Sequence, residues 1–190
     1  MVITIDGAAG VGKTTTAKKL AKELGYQYFD TGAMYRAVTF FFLSEKVDIN
    51  LASKVKESLK AMNLQIDFLS GSDMVILLDG KDISLKIRNQ EVTSNVSAVS
   101  ALKEVRQMMV SIQRSITEQG NFIVEGRDIG SVVFPDAQYK FYLTADYDVR
   151  AKRRLVDFEK INEAKDINKI KEDLIVRDKY DSNRKLSPLN

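Results

Sequence analysis

The stretch Gly7-Ala8-Ala9-Gly10-Val11-Gly12-Lys13-Thr14 decides the fold of this chain, because it matches the pattern G-x-x-x-x-G-K-[ST] at every fixed position. Glycines in this pattern let the backbone wrap closely, so that successive N–H groups point at phosphate oxygens. The apolar run Val2 to Ile5 precedes the loop and predicts a buried strand. Lys13 to Leu24 follows with apolar residues at helical spacing and stops at Gly25. The sequence therefore predicts a phosphate-binding loop between a strand and a helix.

Short strands and helices alternate along most of the chain beyond this loop. Tyr26 to Phe29 predicts a second short strand. Asn121 to Glu125 and Tyr139 to Leu143 are short and apolar, which predicts buried strands. The predicted helices span 31–43, with Thr31 as the N-cap, 51–62, 91–100, 102–118, 146–161 and 167–184. This alternation predicts an α/β fold, a P-loop three-layer sandwich with a parallel central sheet. Ligands in such a sheet bind at the carboxyl ends of the strands.

One stretch in the middle of the chain breaks the alternation. Leu64 to Phe68 alternates apolar and polar residues as a half-exposed strand does, and Ser70 to Asp73 is a turn signal. Met74 to Leu78 resumes a strand before a second turn at Asp79-Gly80. We therefore expect residues 63–90 to form a small antiparallel β insert, and residues 1–62 and 91–190 to form the α/β core.

The composition excludes several classes of chemistry. The 190 residues contain no cysteine and no histidine, which rules out disulfides, histidine or thiolate metal sites and serine–histidine triads. Phosphoryl transfer remains possible without cysteine or histidine, because its catalysis is mostly positioning and charge stabilisation. The net charge is +3, no apolar run approaches the roughly 20 residues that cross a bilayer, and the N-terminal run has no basic region before it. We expect a cytoplasmic protein.

Polar residues follow two predicted strands, at the edge where ligands bind. Asp30 to Arg36 brings a hydroxyl, a glycine and an arginine to the start of a helix, which suits a second phosphate group. Glu125 ends another strand, where a carboxylate that organises Mg²⁺ would lie, and Arg127 and Asp128 follow on the loop. The alternatives are a plain N-cap with a solvated arginine and an ordinary strand-to-loop turn.

Two groups of charged residues lie on the last two predicted helices. Arg150, Arg153 and Arg154 share one helix face, and Arg177, Asp181 and Arg184 share another through spacings of four and three. The first group suits a mobile lid that neutralises the transferring phosphoryl group, with the polar segment 162–171 as its tip. The second group suits contacts with a ligand. A solvated face, a surface ion-pair ladder or, for the first group, a nucleic-acid contact are the alternatives.

Taken together, these segments resemble the bacterial cytidylate kinases, P-loop enzymes that phosphorylate CMP and dCMP with ATP. The resemblance runs almost from end to end, and it is specific because other nucleoside monophosphate kinases lack both GRD-x-G and the β insert. The segments that carry it are Ile5 to Thr15, Asp30 to Arg36, Val92 to Ala101 (VTSNVSAVSA), Glu125 to Pro135 (EGRDIGSVVFP) and Arg177 to Arg184 (RDKYDSNR).

The resemblance implies roles for individual residues. ATP would bind at Gly7, Ala8, Ala9, Gly10, Val11, Gly12, Lys13, Thr14 and Thr15. The CMP phosphate would be held by Thr31, Arg36, Arg127 and Arg177, the cytosine by Ser97, Arg106 and Asp128, and the sugar by Tyr35, Asp181 and Arg184. The catalytic residues would be Lys13, Arg127, Arg153 and Arg154, the last two on a lid at about 150–177. Mg²⁺ would be held by Thr14 and, through water, by Glu125 or Asp6. The insert would enlarge the CMP-binding region.

The chain departs from the family pattern at three places. Thr31 replaces a serine and keeps the hydroxyl donor, while Glu125 stands where aspartate is frequent. Family members usually continue past a segment like Leu186 to Leu189 into a further strand and helix beside the adenine site. This departure leads us to expect either a cut sequence or a shortened protein.

Three other functions stay open on the sequence. They are a P-loop kinase with another acceptor such as UMP, a nucleic-acid-binding P-loop ATPase, and a nucleotide-binding module without catalysis. The segment Arg150 to Arg154 contains no aromatic residue, which argues against RNA binding. We expect a monomeric enzyme that takes CMP or dCMP and ATP with Mg²⁺, and that binds neither nucleic acid nor membranes.

Overall fold

A parallel four-stranded sheet with helices on both faces forms the centre of the molecule. The structure is a computed structural model and describes residues 1–69, 73–159 and 164–184. The strands are β1 (Val2–Gly7), β2 (Gln27–Asp30), β3 (Leu64–Leu69), β4 (Asp73–Leu78), β5 (Lys81–Asp82), β6 (Phe122–Gly126) and β7 (Tyr139–Leu143). The helices are α1 (Lys13–Leu24), α2 (Thr31–Ser44), α3 (Ala52–Ala61), α4 (Gln90–Ser100), α5 (Lys103–Thr117), α6 (Tyr147–Glu159) and α7 (Ile167–Ser182). A 3₁₀ turn spans Lys86–Arg88 and a π-helical turn spans Ile129–Val133.

The strand order of the central sheet is β2-β6-β1-β7, and all neighbours run parallel. The register places Asp30 opposite Glu125 and Asp6 opposite Gly126. Because the carboxyl ends of parallel strands meet at one edge, the acidic residues that end three strands lie side by side there. This edge is where ligands bind in α/β sheets.

Two apolar clusters cover the two faces of the sheet and confirm the three-layer sandwich. On one face, Ile5 and Ile123 pack against Ala17 and Ala21 of α1. On the other face, a larger cluster joins the strands to α2 and α5, and Phe29, Met34, Val38, Met109 and Val124 are all fully buried in it. Burying a side chain of this size contributes about 1.5–3 kcal/mol, so these contacts fix the helices on the sheet.

The residues predicted as an insert form a second, antiparallel sheet with the order β3-β4-β5. Phe68 of β3 packs edge-on against Phe29 and Phe122, with ring centroids 5.6 Å and 5.3 Å apart. The first three residues of the predicted turn, 70–72, lie outside the described residues. The small sheet is therefore joined to the core by aromatic contacts, and its status as a separate domain stays a prediction.

Two predictions about local structure are wrong. β7 has the predicted bounds, but it is an edge strand of the described sheet, and Tyr139, Phe141 and Tyr142 are about half exposed. An apolar run has the same appearance in a central strand and in an edge strand, so its position in the sheet could not be read from it. The N-cap of α2 is Asp30, whose Oδ1 accepts the N–H of Ala33 at 3.0 Å. Thr31 is instead the first helical residue.

The last two helices pack on each other beside the phosphate loop. Ile170 and Leu174 of α7 are buried against Ala151 of α6 and Ala9 of the loop. The predicted lid tip, 162–171, thus contains a buried apolar residue, and its first two positions lie outside the described residues. None of the helices in the described part of the chain has the length and apolar character needed to cross a membrane.

Candidate active site

The phosphate loop has the conformation that its glycines predict. Gly7 has φ 144°, and a Cβ at this position would lie 2.3 Å from the carbonyl oxygen of Leu143, so no other residue fits there. Gly12 has φ 101° and precedes α1, whose N-terminal end faces the loop. The Lys13 ammonium donates to the carbonyl of Ala8 at 2.8 Å and so lies across the loop. Backbone N–H groups, a helix N-terminus and an ammonium group together form an anion site.

A single cavity beside this loop contains most of the predicted site residues. Eight basic and four acidic side chains line it. All ten predicted CMP contacts are among the lining residues, namely Thr31, Tyr35, Arg36, Ser97, Arg106, Arg127, Asp128, Arg177, Asp181 and Arg184. Ala9, Gly10, Lys13, Thr14, Glu125 and Arg154 complete the predicted residues there. Seven predicted residues lie outside the lining that the described residues form: Asp6, Gly7, Ala8, Val11, Gly12, Thr15 and Arg153.

The electrostatics of the cavity favour an anionic ligand. Burial first and the nearby guanidinium of Arg127 second lower the pKa of Lys13 to about 7. Burial also lowers the pKa of Arg177 to about 10, with Arg127 again contributing. Within the described part of the chain, Nε of Arg177 and Nη2 of Arg184 are buried without a hydrogen-bond acceptor. Buried donors of this kind cost free energy unless an acceptor arrives, so the site is complementary to phosphate oxygens.

Three oxygen-bearing side chains gather at the carboxyl ends of β2 and β6. The hydroxyl of Tyr28 donates to Oε1 of Glu125, and the hydroxyl of Thr14 interacts with both groups. Burial raises the pKa of Glu125, and the neighbouring carboxylate of Asp30 raises it further. Hard oxygen donors of this type, few in number and beside a phosphate site, fit Mg²⁺, which keeps several waters and takes few protein ligands. Asp6 does not join them, because its two oxygens accept the N–H groups of other residues.

A buried ion pair also lines the cavity. Arg106 of α5 donates to Oδ2 of Asp128, and both side chains are almost fully buried. The guanidinium also lies over the ring of Tyr35, 5.6 Å from its centroid. A buried ion pair is weak evidence for stability because the desolvation cost offsets the attraction. A pair that faces a cavity offers hydrogen-bond donors and an acceptor in fixed positions, which suits recognition of a polar ring edge.

The expected phosphate-binding residues are held in place by contacts with their neighbours. Arg127 donates to the carbonyl of Gly7 at 2.7 Å and to Oδ2 of Asp181 at 3.1 Å, so it bridges the loop and α7. Arg36 donates to the hydroxyl of Thr93 at 2.9 Å. The hydroxyl of Thr31 donates to the carbonyl of Glu125 at 2.7 Å. A phosphate at Thr31 would therefore compete with this carbonyl for the hydroxyl proton.

The three arginines of α6 have three different surroundings. Arg153 donates to the carbonyl of Val11 at 3.1 Å, and Arg154 lines the cavity. Arg150 is buried: it donates to both carboxylate oxygens of Asp178 at 2.6 Å and 2.9 Å and to the carbonyl of Ala9 at 2.7 Å. The expectation that Arg150 shares a ligand-facing patch is therefore wrong. The sequence spacing correctly predicted that Arg150 lies on a helix, but it did not predict that Arg150 lies on the side of that helix that faces the protein interior.

Sequence reasoning missed several residues at the site. Arg88 and Ser100 line the cavity, and Arg88 donates to Asp30 at 3.4 Å. No local pattern marks either residue, since each reaches the site through the packing of α4 and the 3₁₀ turn on α2. Tyr28 was assigned only to a strand. Its position two residues before Asp30, on a strand that ends beside Glu125, was the one available signal.

Comparisons with known proteins give one consistent result. The family model for cytidylate kinase matches residues 3–190. The chain is 44% identical to cytidylate kinase of Protochlamydia amoebophila over 193 residues, covering all of this chain and 84% of the relative. It is 47% identical to cytidylate kinase of Clostridioides difficile, covering all of this chain and 85% of the relative. It is 43% identical over 98% of its length to cytidylate kinase of Caldanaerobacter subterraneus, of which it covers 81%.

Proposed function

Because this chain belongs to the cytidylate kinase family, we propose that it transfers the γ-phosphoryl group of ATP to CMP or dCMP, giving ADP and CDP or dCDP. The observation that carries the proposal is that one cavity contains both the phosphate-loop Lys13 and the buried pair of Arg106 and Asp128. A general ATPase needs only the first of these. A second, polar recognition site that lines the same cavity supports a second nucleotide.

The pair of Arg106 and Asp128 supports cytosine as the base. A carboxylate accepts a hydrogen bond from the exocyclic amino group of cytosine, and a guanidinium donates to the ring nitrogen and carbonyl. Uracil carries a carbonyl where cytosine carries the amino group, so it would turn an acceptor towards Asp128. An unpaired buried polar group costs about 1–3 kcal/mol, which corresponds to roughly 10- to 100-fold discrimination. Ser97, which also lines the cavity, adds a hydroxyl.

The basic side chains that line the cavity support the transfer step itself. A phosphate oxygen of CMP attacks the γ-phosphorus in line, and the bond from this phosphorus to the β–γ bridging oxygen breaks. The attacking oxygen is already deprotonated at neutral pH, since the second pKa of a phosphate monoester is about 6, so no general base is required. Arg36, Arg127 and Arg177 would hold the acceptor phosphate. Lys13, with Arg127, Arg153 and Arg154, would neutralise the charge on the equatorial oxygens.

We propose Thr14 and Glu125 as the residues that hold Mg²⁺, the carboxylate acting through water. Oε1 of Glu125 accepts a hydrogen bond from the hydroxyl of Tyr28. Oε2 is therefore left for a water molecule bound to the ion. Bound Mg²⁺ supplies charge neutralisation and orients the phosphates of ATP. The oxygen-only donor set supports this assignment.

We propose that α6 and α7 form the lid and that residues 63–90 belong to the CMP-binding region. Arg153 and Arg154 project from α6 towards the phosphate loop and the cavity, and α7 carries Arg177 and Asp181 into it. A lid of this kind shields the transferring phosphoryl group from water, which would otherwise accept that group.

We also propose a monomer that acts in the cytoplasm on small nucleotides and not on nucleic acid. Elution volume on gel filtration, with and without RNA, tests the oligomeric state and the absence of nucleic-acid binding.

A coupled assay of ADP release tests the proposed reaction directly. The acceptors are CMP, dCMP, UMP, AMP and GMP at equal concentration, with RNA and water as the controls. We expect CMP and dCMP to be the preferred acceptors, and UMP to have a kcat/KM about 10- to 100-fold lower. Equal efficiency with UMP would indicate a different acceptor. ADP release without any acceptor at the same rate would indicate an ATPase.

A further inference from the structure

Asp6 is a buried carboxylate at the carboxyl end of β1, and its hydrogen bonds separate it from the expected Mg²⁺ residues. It is 6% exposed. Its Oδ1 accepts the N–H of Ile129 at 2.8 Å, and its Oδ2 accepts the N–H of Gly130 at 2.7 Å. Two successive backbone N–H groups that converge on one anion form an anion-binding concavity, and hydrogen bonds to a charged acceptor are about twice as strong as neutral ones. Both oxygens of Asp6 are thus engaged by the loop that follows β6.

The loop lies directly against β1 at this point. A Cβ at Gly130 would lie 2.7 Å from Oγ1 of Thr4 and 3.3 Å from Oδ2 of Asp6. Gly7, the next residue of β1, also contacts the loop, because its carbonyl accepts a hydrogen bond from Nη1 of Arg127 at 2.7 Å. Two successive residues of β1, Asp6 and Gly7, therefore contact the loop on either side of Asp128.

We propose that Asp6 is a positioning residue that sets acceptor specificity, by fixing the backbone that carries Asp128. Asp128 has φ −140° and ψ 27°, outside both the helical and the extended regions, and it stands immediately before the two N–H groups that Asp6 accepts. Without the carboxylate, these buried N–H groups lose their acceptors and the loop relaxes. The carboxylate of Asp128 then moves relative to Arg106 and to the cytosine edge. This inference rests on the proposed function.

The variant Asp6→Asn tests the assignment with almost no change in size. It turns an amide donor towards a backbone N–H and removes the negative charge. We expect kcat/KM for CMP to fall by at least about 10-fold and the preference for CMP over UMP to fall by at least about 5-fold, because mispaired buried polar groups have effects of this size. The KM for ATP and the half-saturating Mg²⁺ concentration should each change by less than about 2-fold, since neither ligand meets Asp6.

A matched control comes from Asp48, whose Oδ1 also accepts a backbone N–H, that of Asn50 at 3.0 Å, in an exposed turn. Asp48→Asn should leave every parameter unchanged. An equal loss of efficiency with CMP and UMP in Asp6→Asn would show a merely structural role and overturn the proposal. A shift in Mg²⁺ dependence with the base preference retained would make Asp6 a metal ligand and overturn it as well.

If the variant fails to fold, hydrogen exchange on the wild-type protein tests whether Asp6 holds the backbone that follows Asp128. The amides of Ile129 and Gly130 should be strongly protected without any nucleotide, and exchange at the rate of a solvated loop would refute the inference. Absence of CMP turnover in the wild-type protein would refute the proposed function instead, and the exchange measurement would still decide whether Asp6 holds the loop.

Discussion

ATP binding at pH 8 is expected to place about one proton on Lys13. Burial and the neighbouring Arg127 lower the pKa of this ammonium from 10.5 to about 7 in the empty site. At pH 8 only about a tenth of the molecules then carry the charge. The triphosphate brings negative charge against the amine, which restores full protonation. The expected uptake is therefore about 0.9 proton per ATP, and it should fall to about half a proton at pH 7.

The composition makes this proton easy to assign. The chain has no histidine and no cysteine, so the side chains that most often titrate near neutral pH do not contribute. The amino terminus donates to the carbonyl of Gly120 and to Asn121 at the opposite end of β1. The phosphate oxygens of ATP are already deprotonated at pH 8, because their last pKa is about 6.

Isothermal titration calorimetry in two buffers of different ionisation enthalpy measures the uptake directly. Lys13→Arg is the matched control, because a guanidinium keeps its charge at pH 8 before and after binding. We expect this variant to bind ATP with an uptake below about 0.2 proton, since no other group near the phosphates gains one. An uptake below this value in the wild-type protein, or an equal uptake in both proteins, would show that Lys13 is charged before ATP arrives.

Four further outcomes are expected. Lys13→Ala should lower kcat by at least about 100-fold with the thermal midpoint retained, because it removes charge stabilisation worth several kcal/mol in the transition state; more than a tenth of the wild-type kcat contradicts the role. Asp128→Ala should lower the CMP over UMP preference at least about 10-fold and leave the KM for ATP within about 2-fold, measured by the coupled assay; an unchanged preference removes Asp128 from base recognition. Chelation of Mg²⁺ should abolish turnover and leave the midpoint of the nucleotide-free protein unchanged, and turnover in excess chelator would contradict the assigned Mg²⁺ role. Arg150→Ala should lower the free energy of unfolding by about 3 kcal/mol in urea titrations, because it leaves Asp178 buried without its partner, and a loss below about 1 kcal/mol would mean that water replaces the guanidinium.

Local features of the fold were largely predictable from the sequence. The strand, loop and helix around Lys13 were predicted because backbone conformation there depends on glycines and on apolar spacing within a few residues. The bounds of α1 and β7 match the prediction, and the antiparallel insert also appears in the structure. The residues that the family resemblance assigned to the CMP acceptor all line one cavity.

The surroundings of individual charges were not predictable, because they depend on residues far apart in the chain. Arg150 and Arg154 share a helix face and have similar sequence contexts, yet one is buried against Asp178 and the other lines the cavity. Asp6 and Glu125 both end strands as acidic residues, but one accepts two backbone N–H groups and the other a tyrosine hydroxyl. Sequence spacing specifies which residues lie on the same side of one element, and it does not specify what that side faces.

The sequence by itself determined the phosphate loop, the α/β alternation and the family of this protein, because each depends on short patterns with a local physical cause. Only the tertiary structure decided the strand order β2-β6-β1-β7, the exposed position of β7 and the burial of Arg150. It also decided that Asp6 is engaged with the loop that carries Asp128, over a separation of more than 120 residues. Such contacts form when distant segments pack, and the free energy that selects them comes from burial and charge pairing across the whole core rather than from any one segment.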